Sequence, residues 1–208
     1  MASSFYITGT DTEIGKTFVT CALLRDARDS GRDVIGMKPV ASGCIDTPEG
    51  WRSEDALSHI EADGLDASYI DRNPYTLPLP VAPEIAAREA GVDIELSTIL
   101  HSYERLCAQH EGVMVEGVGG WLAPLNETLE QADVVRALGL PVVMVVGMRL
   151  GCVHQARATQ RAILADGCEF AGWVANPIDP NMHNADDNLA ILTRVLGQPP
   201  MCVMPPRQ

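Results

Sequence analysis

Basic residues are scarce in this 208-residue sequence. Lys and Arg number 15 against 28 Asp and Glu, which gives a formal net charge of −13 and a pI near 4.6. A surface this acidic repels phosphodiester backbones and anionic lipid, so neither nucleic acid nor a membrane surface is an expected partner. It leaves room for a local basic pocket around a small anion. Long hydrophobic runs are also missing. The longest, residues 141–148, falls far short of the roughly 20 apolar residues of a membrane span. The opening MASSFYITG has no basic segment leading into a long apolar stretch, so a cytoplasmic protein is expected. No two of the six cysteines stand as C-x-x-C, and reduced, mostly buried thiols are expected. The histidines at 59, 101, 110, 154 and 183 show no metal-ligand spacing and read as surface or core residues. No G-x-S-x-G elbow occurs and no cysteine has an evident partner base, which argues against a Ser or Cys nucleophile. There are no internal repeats.

The apolar fraction is 46%, enough for a sizeable core, and residues 1–208 are expected to form a single domain. Short apolar segments alternate with helical patterns. Residues 4–9 read as a strand, 16–30 as a helix and 33–40 as a second strand closed by Pro39. Residues 41–52 read as a loop, with Ser53 as the N-cap of the next helix. Four prolines make 73–83 a fixed extended connection rather than a regular element. Residues 93–110, 153–165 and 186–196 read as helices, and 169–177 and 201–206 as strands. The runs at 112–120 and 141–148 are nearly continuously apolar, as in strands buried on both faces of a parallel sheet. Strand and helix alternate throughout, so an α/β fold with a mostly parallel sheet flanked by helices is expected. Ligands of such sheets sit at the carboxyl ends of the strands.

The first strand runs into ITGTDTEIGKTF. Gly9 and the Gly15-Lys16-Thr17 triplet are separated by five residues, one more than the strict phosphate-binding loop allows. The context of strand, glycine loop and helix is nevertheless what such a loop requires. Backbone N–H groups at a helix start bind phosphate oxygens, Lys16 would reach the β- and γ-phosphates, and the Thr17 hydroxyl would hold Mg²⁺. An ordinary strand-to-helix turn is the competing reading. The second strand ends in Lys38, which could neutralise charge on a transferring phosphoryl group or simply be solvated. Ser42 follows on a glycine-flanked loop. The strand at 113–115 delivers Glu116 into Gly117 and Gly119. A strand-end acid there suits a Mg²⁺ ion or a salt bridge, and glycines let phosphate approach. Asp55 could be a second acidic ligand, or a helix N-terminal charge. Gly151 opens another helix and a second possible anion site.

The segments GTDTEIGKT (9–17), KPVASG (38–43), NPYT (73–76), EGVGGW (116–121), LGC (150–152) and GWVAN (172–176) occur in this order. Together they resemble the ATP-dependent dethiobiotin synthetases of biotin biosynthesis. The family's phosphate loop resembles this one in carrying five residues before its GKT. The resemblance implies a P-loop NTPase-like α/β fold and a homodimer with active sites at the subunit interface. It implies that 7,8-diaminononanoate, CO₂ (or bicarbonate) and ATP, with Mg²⁺, yield dethiobiotin, ADP and phosphate through a carbamate and a carbamic–phosphoric anhydride. Lys38, Lys16 and Thr12 match the catalytic positions, and Ser42, Gly151 and Cys152 the substrate-binding ones. Thr17, Asp55 and Glu116 match the Mg²⁺ ligands. Nucleotide contacts fall on Glu13, Ile14, Gly15, Lys16, Thr17, Phe18, Asp55, Glu116, Gly117, Val118 and Gly119. Asn176 resembles the adenine-reading residue, with Pro205 near the base, and Pro177, Pro206 and Arg207 are further nucleotide contacts.

The chain departs from the pattern in places. Asn188 stands where relatives place a tyrosine against the substrate carboxylate, and His154 where they place an asparagine. A helix expected after the last strand is not in the sequence, which bears on the adenine pocket. Three alternatives stand beside this reading: a partition-type P-loop ATPase, an amide-forming synthetase acting through an acyl phosphate, and an inactive relative. The partition ATPases carry a lysine early in the loop, and GTDTEI has none. The amide-forming synthetases usually need a glutamine-hydrolysing domain for which 208 residues leave no room.

Overall fold

A computed structural model describes residues 4–205. The chain runs β1 (Phe5–Gly9), α1 (Lys16–Asp29), β2 (Val34–Met37), β3 (Val40–Ser42), β4 (Ile45–Thr47), β5 (Gly50–Arg52), α2 (Glu54–Asp63) and α3 (Tyr69–Arg72). It continues with β6 (Tyr75–Leu77), α4 (Pro83–Ala90), α5 (Leu96–Cys107), β7 (Gly112–Glu116), α6 (Gln131–Leu138) and β8 (Val142–Met148). It ends with α7 (Cys152–Ala165), β9 (Phe170–Pro177), α8 (Ala185–Leu196) and β10 (Cys202–Val203).

Six strands form one all-parallel sheet in the order β10-β9-β8-β1-β7-β2. Every residue of β8 is buried, because the sheet is covered on both faces. Its odd and even positions serve different layers. Val143 and Val145 pack with Val19 and Leu24 of α1 and Ala62 of α2. Met144 and Val146 pack with Cys152 and Ala156 of α7 and Leu192 of α8. Each such aliphatic side chain, fully buried, contributes roughly 1.5–3 kcal/mol before entropy is subtracted. The interior strands thus fix β1, β7 and β2 side by side, with the residues after Gly9, Met37 and Glu116 emerging at one edge.

Several expectations are revised. The strand read over 33–40 is two strands: β2 stops at Met37, and β3 leaves the sheet to pair with β6. Pro39 lacks the N–H that would continue the ladder. The stretch 41–52 is no plain loop, since β4 and β5 form an antiparallel hairpin there. The proline-rich segment 73–83 likewise contains β6, whose Tyr75-Thr76-Leu77 falls between the prolines. The Ser53 cap is present, its hydroxyl accepting from the Ala56 N–H at 3.4 Å. The last strand is confined to Cys202–Val203, and Pro206 and Arg207 lie outside the described residues. No helix among the described residues is long and apolar enough to cross a membrane.

Candidate nucleotide site

The loop after β1 is shaped by close packing. A Cβ on Gly9 would lie 2.9 Å from Ile14 Cδ1 and 3.0 Å from Lys16 Cδ, so a side chain here would push on Ile14 and on the Lys16 stem. Glu13 (φ 59°) and Gly15 (φ 85°) both adopt left-handed backbone. That geometry is uncommon for a side-chain-bearing residue, and it clusters at binding loops. Helix α1 then starts at Lys16 with no side chain capping its free N–H groups. Uncapped N–H groups at a positive helix end form an anion cradle. The extra residue is accommodated by the left-handed turn.

Lys16 is buried, and its Nζ donates to the Asp11 carbonyl at 2.9 Å. Burial, reinforced by the neighbouring Lys38 ammonium, pulls its pKa down to about 8 against the opposing pull of Glu116, Asp55 and Asp11.

Lys38, Thr17, Asp55 and Glu116 converge from four elements. Thr17 Oγ1 lies 2.7 Å from Asp55 Oδ1 and 2.9 Å from Glu116 Oε1. Lys38 Nζ lies 2.7 Å from Asp55 Oδ2 and 2.8 Å from Glu116 Oε1. Glu116 is completely buried. Burial alone would raise its pKa, but the Lys38 ammonium and the His59 hydrogen bond hold it well below the usual carboxylate range. Burial alone would likewise lower Lys38, and the two carboxylates outweigh it and hold the ammonium well above its ordinary value.

The supports lie one layer out. The Lys38 N–H donates to the Arg72 carbonyl at 2.7 Å, and Asn73 Nδ2 donates to the Lys38 carbonyl at 2.6 Å. Arg72 is itself buried and paired with buried Asp63 at 2.7 Å, while Asp63 accepts from the Gly36 N–H at 2.9 Å. A Cβ on Gly36 would sit 2.6 Å from His59 Cβ, so glycine lets α2 close on β2 and bring Asp55 inward. On the other side, Gln131 Nε2 donates to the Val118 and Gly120 carbonyls at 3.0 and 2.6 Å, fixing the glycine loop after β7.

These groups border one cavity of about 420 Å³. Of the residues singled out in the sequence, Thr12, Glu13, Gly15, Lys16, Thr17, Phe18, Lys38, Ser42, Asp55, Glu116, Val118 and Gly119 line it. Ile14 is buried beneath the loop and Gly117 lines a small adjoining void. Asn176 and Pro177 end β9 and do not line the cavity. Asn176 Nδ2 donates to the Ile14 carbonyl at 2.7 Å, and its buried Oδ1 has no partner among the described residues. Pro205 is exposed just beyond β10. Gly151 borders a second cavity of about 500 Å³ with His154, Arg157 and Asn188, while Cys152 is buried at the start of α7.

His59 was not legible as a site residue. It is completely buried, with Nε2 2.9 Å from Glu116 Oε2. An ionised carboxylate only accepts, so Nε2 carries the proton, and Nδ1 has no partner among the described residues. The signal that could have found it is the i, i+4 spacing from Asp55 on one helix face.

The donor set suits a hard cation. Among the described residues no group of three or more His, Cys, Asp or Glu could hold a metal by itself. Two carboxylates and a hydroxyl, completed by water and phosphate oxygens, match Mg²⁺, which seldom takes an all-protein cage.

The chain is similar to known proteins in sequence and in fold. A family model described as an AAA domain matches residues 3–208. The ATP-dependent dethiobiotin synthetase BioD of Xanthomonas euvesicatoria pv. vesicatoria (strain 85-10) is 54% identical over 196 residues, 94% of this chain and 88% of that protein. The same enzyme of Xylella fastidiosa (strain Temecula1 / ATCC 700964) is 54% identical over 197 residues, 95% of this chain and 87% of that one. Among solved structures, a ParA family ATPase from Chlorobium tepidum TLS superposes with a TM-score of 0.61 at 15% identity, covering 100% of this chain and 86% of the other. The MinD cell division protein of Aquifex aeolicus gives 0.57 at 12%, covering 98% and 82%. Likeness at that identity is one of fold, that of the P-loop NTPases. Sequence identity over most of both chains goes further, and the chain belongs to the family of ATP-dependent dethiobiotin synthetases.

Proposed function

We propose that this chain, as one domain, closes the ureido ring of dethiobiotin from 7,8-diaminononanoate, CO₂ and ATP, in biotin biosynthesis. The observation that carries the reading is the convergence of two ammonium groups with Thr17, Asp55 and Glu116 beside an uncapped helix start. One amine of the substrate captures CO₂ as a carbamate. The carbamate oxygen attacks the γ-phosphorus and ADP leaves. The second amine then attacks the carbamoyl carbon, and phosphate departs with the former carbamate oxygen.

The residues take distinct parts in this. Lys16 and the N–H groups of Glu13 to Phe18 hold the phosphates. Lys38 faces the carbamate and the γ-phosphoryl group, offsetting charge as it moves between them. Thr12 and Ser42 position the carbamate end of the diamine. Thr17, Asp55 and Glu116 would hold Mg²⁺, which when bound would supply Lewis-acid stabilisation of the charge on the phosphates. Asn176, with its free buried Oδ1, reads the base beside Pro177 and Pro205. The second cavity receives the substrate carboxylate from a partner copy, with Gly151 and Cys152 at the α7 amino end. In the homodimer that the family resemblance implies, Leu150, 94% exposed at that cavity, would face the partner copy.

A partition-type switch shares the fold, but the loop lacks an early lysine and the charge of −13 disfavours DNA and lipid. The test is to supply ¹⁸O-labelled bicarbonate and analyse the released phosphate by mass. One labelled oxygen in phosphate is expected. Unlabelled phosphate with dethiobiotin formed would remove the anhydride from the mechanism.

A further inference from the structure

Asp11 lies inside the phosphate loop, where a bare carboxylate would repel a polyphosphate. Its carbonyl oxygen is 2.9 Å from Lys16 Nζ, so the residue sits beside the ammonium that must meet phosphate. Its carboxylate is not bare. Oδ2 accepts from Arg149 Nη2 at 2.5 Å and from Gln155 Nε2 at 3.2 Å, and Oδ1 accepts from the Thr12 N–H at 2.8 Å. Arg149 directly follows β8, and Gln155 is in the first turns of α7. The loop after β1 is therefore tied, through one carboxylate, to the turn that borders the second cavity. Both side chains of the ion pair are near 40% exposed, so the pair adds little to folding stability. Its consequence is local.

We propose that Arg149 and Gln155 are positioning residues that latch the phosphate loop through Asp11 and cancel its charge beside the nucleotide phosphates. This rests on the loop being the nucleotide site. Without Arg149, Asp11 is left uncompensated against the incoming phosphates, and Thr12 and the Lys16 ammonium lose a fixed neighbour. Without both charges, the repulsion is gone as well.

The test is Mg-ATP affinity by calorimetry for wild type, Arg149→Met, Asp11→Asn and the double variant, with melting temperature and steady-state rates alongside. Arg149→Met is expected to weaken Mg-ATP binding about tenfold, in the range of coupled neighbours, with an unchanged melting temperature. The double variant is expected to recover most of that loss, and Arg149→Lys to keep the affinity. Gln155→Leu should raise the KM for ATP more than it lowers kcat. Wild-type affinity in Arg149→Met, or additive losses in the double variant, would overturn the latch alone. Failure of the wild-type chain to bind Mg-ATP would overturn the site assignment and the latch with it.

Discussion

Lys16 and Lys38 are the sole lysines of the chain, and both border the same cavity. Their environments are opposed. Lys16 is drawn down to about 8 by burial and by Lys38, whereas Lys38 is held up by two carboxylates. The charged form of Lys16 is the one that binds phosphate. Below pH 8 it is present in the free protein, and above pH 8 nucleotide binding must take up a proton. Mg-ATP affinity is therefore expected to fall as pH rises through about 8, with proton uptake visible as buffer-dependent heat in calorimetry. A flat affinity profile between pH 7 and 9 would contradict that assignment. Lys38→Ala is expected to abolish turnover while leaving nucleotide binding largely intact in a filter-binding assay. Glu116→Gln should raise the Mg²⁺ concentration needed for half-maximal activity, and an unchanged titration would remove Glu116 from the metal site. At this scale most of the site was legible, because the glycine loop, Lys38 and Glu116 are tied to strand ends in sequence and Asp55 to a capped helix start. His59 and Arg149 were not, since their partners lie 57 and 138 residues away. Nothing local in the chain marks a strand-end arginine as part of a site, and His59 carries only its i, i+4 spacing from Asp55.

Elements hold these side chains in register, and α2 is closely fitted against β2. It lies against β2 because Gly36 has no side chain, and it carries Asp55 and His59 on one face. Gly36→Ala would press on His59 Cβ, and overpacking of this kind costs roughly 1–3 kcal/mol. The expected result is a lower urea midpoint together with weaker Mg²⁺ dependence, because α2 is pushed from the sheet. A stability loss with an unaltered Mg²⁺ titration would show that α2 is not the element that sets the metal ligands. The helices and the buried strands were readable from periodicity and from unbroken apolar runs. The small strands were not. β3 and β6 are three residues each and pair only with each other, and Pro39 and the prolines around β6 masked them. Their pairing is set by tertiary contact: Cys44 and Gly43 N–H groups donate to the Leu77 and Leu79 carbonyls at 3.0 Å.

The whole molecule is an acidic α/β protein with its two lysines gathered at the phosphate end of a parallel sheet. The fold likeness to ParA and MinD proteins reflects that shared frame. The proposed pairing of two copies makes a further prediction. Leu150→Glu, at the exposed rim of the second cavity, should shift sedimentation from dimer to monomer and raise the KM for diamine with little change in nucleotide binding. A dimer that persists with an unchanged KM would place the interface elsewhere.

The central claim is that ATP cleavage here is tied to ring closure on a diamine. Its most direct test measures ADP release with Mg-ATP and bicarbonate, with and without 7,8-diaminononanoate, while following dethiobiotin by mass. The account predicts ADP release that depends on the diamine and matches dethiobiotin one for one. Hydrolysis at the same rate without diamine, or no dethiobiotin, would contradict it and point to a nucleotide switch.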